Sequence, residues 1–286
     1  MTDSLEQRLQ QAHATGRTLV MGVVNVTPDS FSDGGEFLAP DRAVRHALAL
    51  VEAGADTLDV GGESTRPGAA PVDESEELRR VLPVIEGIVA ATAVPVSIDT
   101  AKPGVMRRAV AAGAAMINDV NGLRADGALE AAAELAVPVC IMHMLGEPRT
   151  MQKNPSYASV VDDIRDFLRE RVDACEQAGV PASRIVLDPG FGFGKTLAHN
   201  LELLARLDAL VALGFPVLAG MSRKSMLGKI TGREDPSQRV AASVAAHLLA
   251  AQKGAAVVRV HDVAETVDAL KVLQAVEASP VSTVNS

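Results

Sequence analysis

Eight short apolar segments, each followed by a stretch of helical periodicity, constrain the fold of this chain more than any other feature of its sequence. They run over Leu19–Val26, Thr57–Gly62, Val94–Asp99, Met116–Val120, Val137–Met144, Ile185–Gly190, Pro216–Met221 and Ala256–Asp262. Amphipathic stretches separate them, near Asp41–Ala53, Asp73–Thr92, Pro103–Ala112, Gly127–Leu135, Ser159–Ala178, Ala198–Leu213, Pro236–Lys253 and Asp262–Ala278. Strands alternating with helices pair in parallel, because each helix carries the chain back across the sheet. The pattern predicts a closed (β/α)8 TIM barrel as a single α/β domain over 18–278. A lead-in helix is expected in 1–17 and a polar tail over 279–286. An open doubly wound sheet is the alternative, although it usually has fewer units and a cleaner phosphate fingerprint.

The chain also echoes itself. Gly54-Ala-Asp-Thr-Leu-Asp59, Gly113-Ala-Ala-Met-Ile-Asn118 and Gly254-Ala-Ala-Val-Val-Arg259 each place a helix-stopping glycine before a strand that ends on a polar residue. Asn25, Asp59, Asp99, Asn118, His143, Asp188, Arg259 and His261 fall at or near strand C-termini, and Lys224 follows the seventh strand. An unpaired polar group inside a barrel costs roughly 1–3 kcal/mol, so this recurrence is not expected from chance. In a (β/α)8 barrel that rim carries the active site.

The sixth strand leads into Asp188-Pro-Gly-Phe-Gly-Phe-Gly-Lys195-Thr, with glycine at alternate positions. Walker A requires Gly, four residues, then Gly-Lys-Ser/Thr; Pro189 stands where the first glycine should be, and Gly190 is one residue too close. The G-x-G-x-x-G spacing is absent too. What remains is a carboxylate beside an aromatic, glycine-rich shelf, which suits a flat polar ring better than a triphosphate.

Bulk properties narrow the partners. A formal charge of −9 argues against nucleic acid or an anionic membrane, and a chain with no Trp and one Tyr offers no stacking ladder for single strands. Cys140 and Cys175, without metal-type spacing, indicate reduced thiols and a cytoplasmic setting. The N-terminus has no signal-peptide pattern, and no apolar run is long enough to span a bilayer.

Two loops rich in Gly, Pro, Ser and Asp follow the first two strands: Asn25-Val-Thr-Pro-Asp-Ser-Phe-Ser-Asp-Gly-Gly35 and Gly61-Gly-Glu-Ser-Thr-Arg-Pro-Gly-Ala-Ala70. They are expected to be mobile surface loops able to close over a substrate. Taken with Ser97-Ile-Asp-Thr, Ile117-Asn-Asp, Met142-His-Met, the glycine shelf, Gly220-Met-Ser-Arg-Lys-Ser and Arg259-Val-His-Asp, the chain resembles the dihydropteroate synthases from about Val20 to Ala275. It is similar to the monofunctional bacterial form, having no room for a fused pterin kinase or aldolase.

The resemblance implies an enzyme of folate biosynthesis, a sulfonamide target, that joins 4-aminobenzoate to the dihydropterin methyl diphosphate with release of diphosphate. It implies Mg²⁺ as cofactor, with Asn25 as its protein contact, and a homodimer. Asp99, Asn118, Met142, Asp188, Phe193 and Lys224 would bind the pterin. A carboxylate accepting two N–H donors suits the guanidine-like edge of that ring. Phe31, Thr65, Arg66, Pro67, Phe193, Lys224 and Ser225 would form the aminobenzoate pocket. Asn25, Arg66, Arg259 and His261 would cradle the diphosphate. Asp99, Lys224, Arg259 and His261 would carry the chemistry. The residues alone leave other readings open: strand-end carboxylates can cap the next helix, Met142 can be ordinary core, and a barrel lysine can form a Schiff base. A non-catalytic pterin-binding paralogue and a pterin-dependent methyltransferase domain are the alternative functions.

Overall fold

The computed structural model describes residues 3–27, 39–64, 68–147 and 150–279. The chain opens with α1 (Leu5–Thr15), β1 (Leu19–Asn25), α2 (Ala39–Glu52), β2 (Thr57–Gly61), α3 (Glu74–Ala91) and β3 (Val96–Asp99). It continues through α4 (Pro103–Ala111), β4 (Met116–Asp119), α5 (Ala128–Leu135), β5 (Val139–Met142), α6 (Val160–Gln177) and β6 (Ile185–Asp188). Then come α7 (Leu197–Ala205), α8 (Asp208–Val211), β7 (Leu218–Ala219), α9 (Ser225–Thr231), α10 (Val240–Gln252), β8 (Val257–Val260) and α11 (Val263–Glu277).

The strands form one parallel sheet in the order β6-β5-β4-β3-β2-β1-β8-β7. A bridge between Leu187 and Val217 brings β6 to β7 and completes the ring. The barrel expected from the alternation is the fold observed.

Burial explains why the strands read as apolar runs. Val20, Val24, Leu58, Val60, Ile98, Ile117, Ile141, Leu187, Val258 and Val260 point outward into one large core shared with the helices. The alternate residues point inward, where two layers differ. Toward the strand N-termini, Leu19, Met21, Met116, Cys140, Val186, Leu218 and Val257 pack with Leu5, Leu9 and Ala12 of α1, which plugs that end. Toward the C-termini the inward positions are Asp59, Ser97, Asp99, Asn118, Asp188 and Arg259. One end of the barrel is oil and the other is ionic.

Two helical expectations differ in detail, and one helix lies outside them. The stretch Ala198–Leu213 is two helices, because Arg206 leaves helical dihedrals (φ −115, ψ 28). Leu203, Leu204, Leu207 and Leu210 stay buried across the break, so periodicity could not reveal it. The start of the stretch Pro236–Lys253 winds as a 3-10 turn, with the Asp235 carboxylate accepting from Ser237 N, before α10 begins at Val240. Helix α9 was not expected; seven residues with an internal glycine are too few to show a period.

Candidate active site

Parallel register delivers the polar side chains to one rim. Asp99 on β3 is level with Gly61 on β2 and Asn118 on β4, and Met142 on β5 is level with Asp188 on β6. Arg259 reaches across from β8. Its Nε donates to Asp59 Oδ2 at 2.6 Å and its Nη2 to Asp99 Oδ2 at 3.0 Å. Asn118 Nδ2 donates to the same Asp59 oxygen at 3.0 Å. Neither carboxylate bond uses Arg259 Nη1. Burial, and then the Asp59 charge, push the Asp99 carboxyl up to about 7, against the opposing pull of Arg259. Burial works against the Arg259 charge, but the two carboxylates hold the guanidinium firmly protonated. Asp99 does not cap α4, whose N-cap is Lys102. Asp119, the outward neighbour on β4, is the carboxylate that serves a turn, accepting from Asn121 N and Leu123 N.

Opposite this cluster lies the glycine shelf after β6. Five successive backbone carbonyls there accept from side chains. Gly190 O and Phe193 O take Lys195 Nζ at 2.8 and 3.0 Å, and Phe191 O takes Lys224 Nζ at 2.6 Å. Gly192 O takes the Gln152 amide, and Gly194 O takes the Tyr157 hydroxyl at 2.7 Å. Lys195 also meets His143 Nδ1 at 3.0 Å. Burial pushes the His143 imidazole down to about 2 and the Lys195 ammonium well below its usual range, so both partners of this contact are driven toward their neutral forms. Lys195 is 3% exposed, so it belongs to the interior of its own loop and not to a phosphate site. Gly190 holds φ +68 and a Cβ there would lie 1.9 Å from His143 O. The loop therefore presses against β5 as closely as backbone permits. Asp188 accepts from Gly190 N at 2.7 Å, a local turn bond and not a helix cap, since Thr196 caps α7, and burial raises its carboxyl pKa.

Lys224 joins the two sides. Its stem crosses Gly192, with Cδ 3.3 Å from where a Cβ would stand, and its ammonium lies 4.7 Å from the Phe193 ring centroid. Burial pulls its pKa down to about 8, with the Asp188 charge opposing and the Arg259 charge assisting. The turn that presents it is tightly held. Arg223 sits at φ +57, unusual for a side chain of its size, between Ser243 Oγ (2.9 Å from its N), Arg239 Nη1 (2.8 Å from its O) and an ion pair with Asp262. Ser222 Oγ accepts from His261 N at 3.1 Å and meets His261 Nδ1 at 2.9 Å, which ties that imidazole to the turn after β7.

The remaining expected positions are distributed around this rim. Asn25 ends β1, half-buried. Met142 and Phe193 share a small cluster with Val120, Met144 and Met151. Met142 is 2% exposed, so as placed it is core as well as floor. Ser225 is exposed at the first position of α9. Phe31, Thr65, Arg66 and Pro67 lie outside the described residues.

A family model for pterin-binding enzymes matches residues 21–261. The dihydropteroate synthase of Escherichia coli (strain K12) is 52% identical over 256 residues, covering 90% of each chain. The chain belongs to the dihydropteroate synthase family. A solved Xanthomonas albilineans dihydropteroate synthase with 4-aminobenzoic acid is 62% identical, with a TM-score of 0.88 over 92% of this chain and 94% of that one. Another structure of the same enzyme, in complex with 7,8-dihydropteroate, is 59% identical with a TM-score of 0.85 over 92% of this chain and 95% of that one.

Several residues that build the rim of this dihydropteroate synthase family member leave no local signature of their role in the sequence. Asp59 was visible as a polar strand end, but its grip on two other strands was not. Lys195 sits inside a quoted motif whose resemblance to a phosphate loop draws attention away from its own backbone. Lys102 bridges Glu63 and the fully buried Glu77, the latter at 2.6 Å, and no local pattern links those three positions.

Proposed function

We propose that this chain joins 4-aminobenzoate to (7,8-dihydropterin-6-yl)methyl diphosphate, forming 7,8-dihydropteroate and releasing diphosphate. The observation that carries the reading is the convergence of Asp99, Asn118, Asp188, Lys224 and Arg259 on one rim beside the Phe193 shelf. The relatives support the substrates, since the Xanthomonas enzyme is solved with 4-aminobenzoic acid and with 7,8-dihydropteroate.

The chemistry follows from charge. Asp188 and Asn118 take the N–H and carbonyl edge of the ring, and Lys224 with Phe193 covers its face. The bond from the methylene carbon to the diphosphate oxygen breaks first, its electron pair leaving with the diphosphate. Arg259 and His261 stabilise that departing charge, joined by Arg66 from the second loop. The ring nitrogens delocalise the resulting cation, and ionised Asp99 stabilises it electrostatically. The arylamine nitrogen then attacks the carbon and loses its proton to solvent. Positioning dominates, and no nucleophilic triad is needed.

Mg²⁺ belongs to the same proposal. Among the described residues no group of His, Cys, Asp or Glu forms a metal cage. A single amide oxygen at Asn25 fits a Mg²⁺ that arrives on the diphosphate and keeps most of its waters. When bound, it would neutralise charge on the leaving group. We also assign a homodimer, supported by Leu249, Val272 and Val276, which are 50%, 65% and 66% exposed on α10 and α11. Two free, buried cysteines suit the cytoplasm.

Diphosphate release that requires both substrates is the deciding measurement. Pterin binding without release would instead indicate a non-catalytic paralogue, and methyl transfer with a corrinoid partner would indicate the methyltransferase alternative.

A further inference from the structure

Asp59 is fully buried at 0% exposure, so it has no surface with which to meet a substrate. Yet its Oδ2 accepts from two strands at once, Arg259 Nε on β8 at 2.6 Å and Asn118 Nδ2 on β4 at 3.0 Å. Both strands lie two places from β2 in the sheet, one on either side. In a (β/α)8 barrel, side chains from alternate strands meet in one interior layer, normally filled by branched apolar residues. Here that layer is a carboxylate, an amide and a guanidinium. The other carboxylate oxygen, Asp59 Oδ1, is buried and has no hydrogen-bond partner among the described residues. A buried charge left partly unsatisfied is a poor way to stabilise a core, because apolar residues of similar volume usually do as well or better. Its placement therefore calls for a reason other than stability.

We infer that Asp59 is a positioning residue for the reaction proposed above, holding Arg259 and Asn118 in the orientations in which they meet the diphosphate and the ring edge. Without it, Arg259 keeps only the bond to Asp99, and the Asn118 amide is free to rotate. Asp59 also acts through its charge. The charges that act on Asp99 come from Asp59 on β2, Glu77 on α3, Asp119 on the outer side of β4, Arg259 on β8 and Lys224 beyond β7. Among these charged groups Asp59 repels the Asp99 carboxylate most, so removing its charge makes Asp99 more acidic.

The inference rests on the proposed activity, and the test separates the two. Wild-type turnover of both substrates tests the activity. Asp59→Asn then tests Asp59: kcat/KM for the pterin diphosphate should fall by about 30-fold or more, with KM for 4-aminobenzoate within about threefold of wild type. The acid limb of the kcat/KM profile should also move down by at least about half a pH unit, a shift that loose packing alone does not produce. If wild type proves inert, pterin affinity by titration calorimetry replaces turnover, and the same loss is expected. Should Asp59→Asn not fold, the pair Asp59→Asn/Arg259→Met removes both opposite charges and leaves no uncompensated ion between them. Its turnover, or pterin affinity, should match that of Arg259→Met within about threefold, since Asp59 acts largely through that arginine. A single variant with wild-type kcat/KM and an unmoved acid limb, or a pair that falls more than about threefold below Arg259→Met, overturns the assignment.

Discussion

The Lys224 ammonium donates to the Phe191 carbonyl at 2.6 Å while standing over the Phe193 ring, so one cation ties the glycine shelf to the turn after β7. Replacing it tests whether that tie is also a substrate contact. Lys224→Met should lower kcat/KM for both substrates by about 100-fold or more, equivalent to roughly 3 kcal/mol of lost transition-state binding. Lys224→Arg keeps the charge but not the compact ammonium, and should recover only part. The pH dependence is the sharper check. With its pKa pulled down to about 8, wild-type Lys224 loses its charge as pH rises through that value, and kcat/KM should decline there. In Lys224→Arg that decline should be absent up to about pH 10.

Asp99 predicts the opposite limb. Its carboxyl is raised to about 7 by burial and by Asp59, and the ionised form is the one that stabilises a cation. Activity should therefore rise with pH through about 7. Stability runs the other way. Between the ordinary aspartate range and about 7 the folded protein binds the proton more tightly than the unfolded chain. Raising pH through that window thus removes stability, and the penalty is complete above it. Asp99→Asn should abolish most turnover yet raise the melting temperature at pH 8 by about 2–6 °C, with the gain fading toward pH 4. A variant that is equally stable at both pH values would show that Asp99 is not held under electrostatic strain.

The shelf supplies a backbone test. At Gly190 an added methyl would meet His143 O at 1.9 Å with φ at +68, and neither the carbonyl nor the β5 backbone can move aside cheaply. Gly190→Ala should destabilise the fold by about 3 kcal/mol or more, read by urea denaturation. Gly16 has a similar φ of +73 but nothing within 4 Å. Gly16→Ala should cost only about 1 kcal/mol, and equal losses at the two sites would show that close approach is not the cause.

How much of this was legible in the sequence depends on the range of each interaction. The barrel was legible because every unit repeats one local pattern, apolar strand, polar end, loop, amphipathic helix. The rim follows from it, since parallel strands all direct their C-terminal ends to the same side of the barrel. Asp99, Asn118, Asp188, Lys224 and Arg259 could all be named that way. Their pairing could not. Arg259 meets Asp59 across 200 residues of chain, and which of several carboxylates it chooses depends on register and side-chain reach. Lys195 shows the converse, a residue conspicuous in a motif whose actual partners are carbonyls two and five residues before it. The break at Arg206 and the short helix α9 left no periodic trace.

Lys102 offers a last test, of the base of the second loop. Its ammonium bonds both Glu63, at the start of that loop, and Glu77 Oε2 at 2.6 Å on α3. Glu63 Oε1 in turn accepts from Val72 N at 3.3 Å, so one carboxylate closes the loop on itself. Glu77 has no exposed surface, and its Oε1 finds no hydrogen-bond partner among the described residues. Removing the lysine alone leaves that carboxylate buried without a counter-charge. Lys102→Met should therefore cost about 2–4 kcal/mol, somewhat below the range for a wholly sequestered pair because the Lys102 side chain is 26% exposed. Replacing both ends, as Lys102→Met/Glu77→Gln, removes the stranded charge and should recover at least about half of the loss. Urea denaturation of the single and double variants reads both values. If the double variant is less stable than Lys102→Met, the penalty is lost packing, and the lysine is not there to neutralise Glu77.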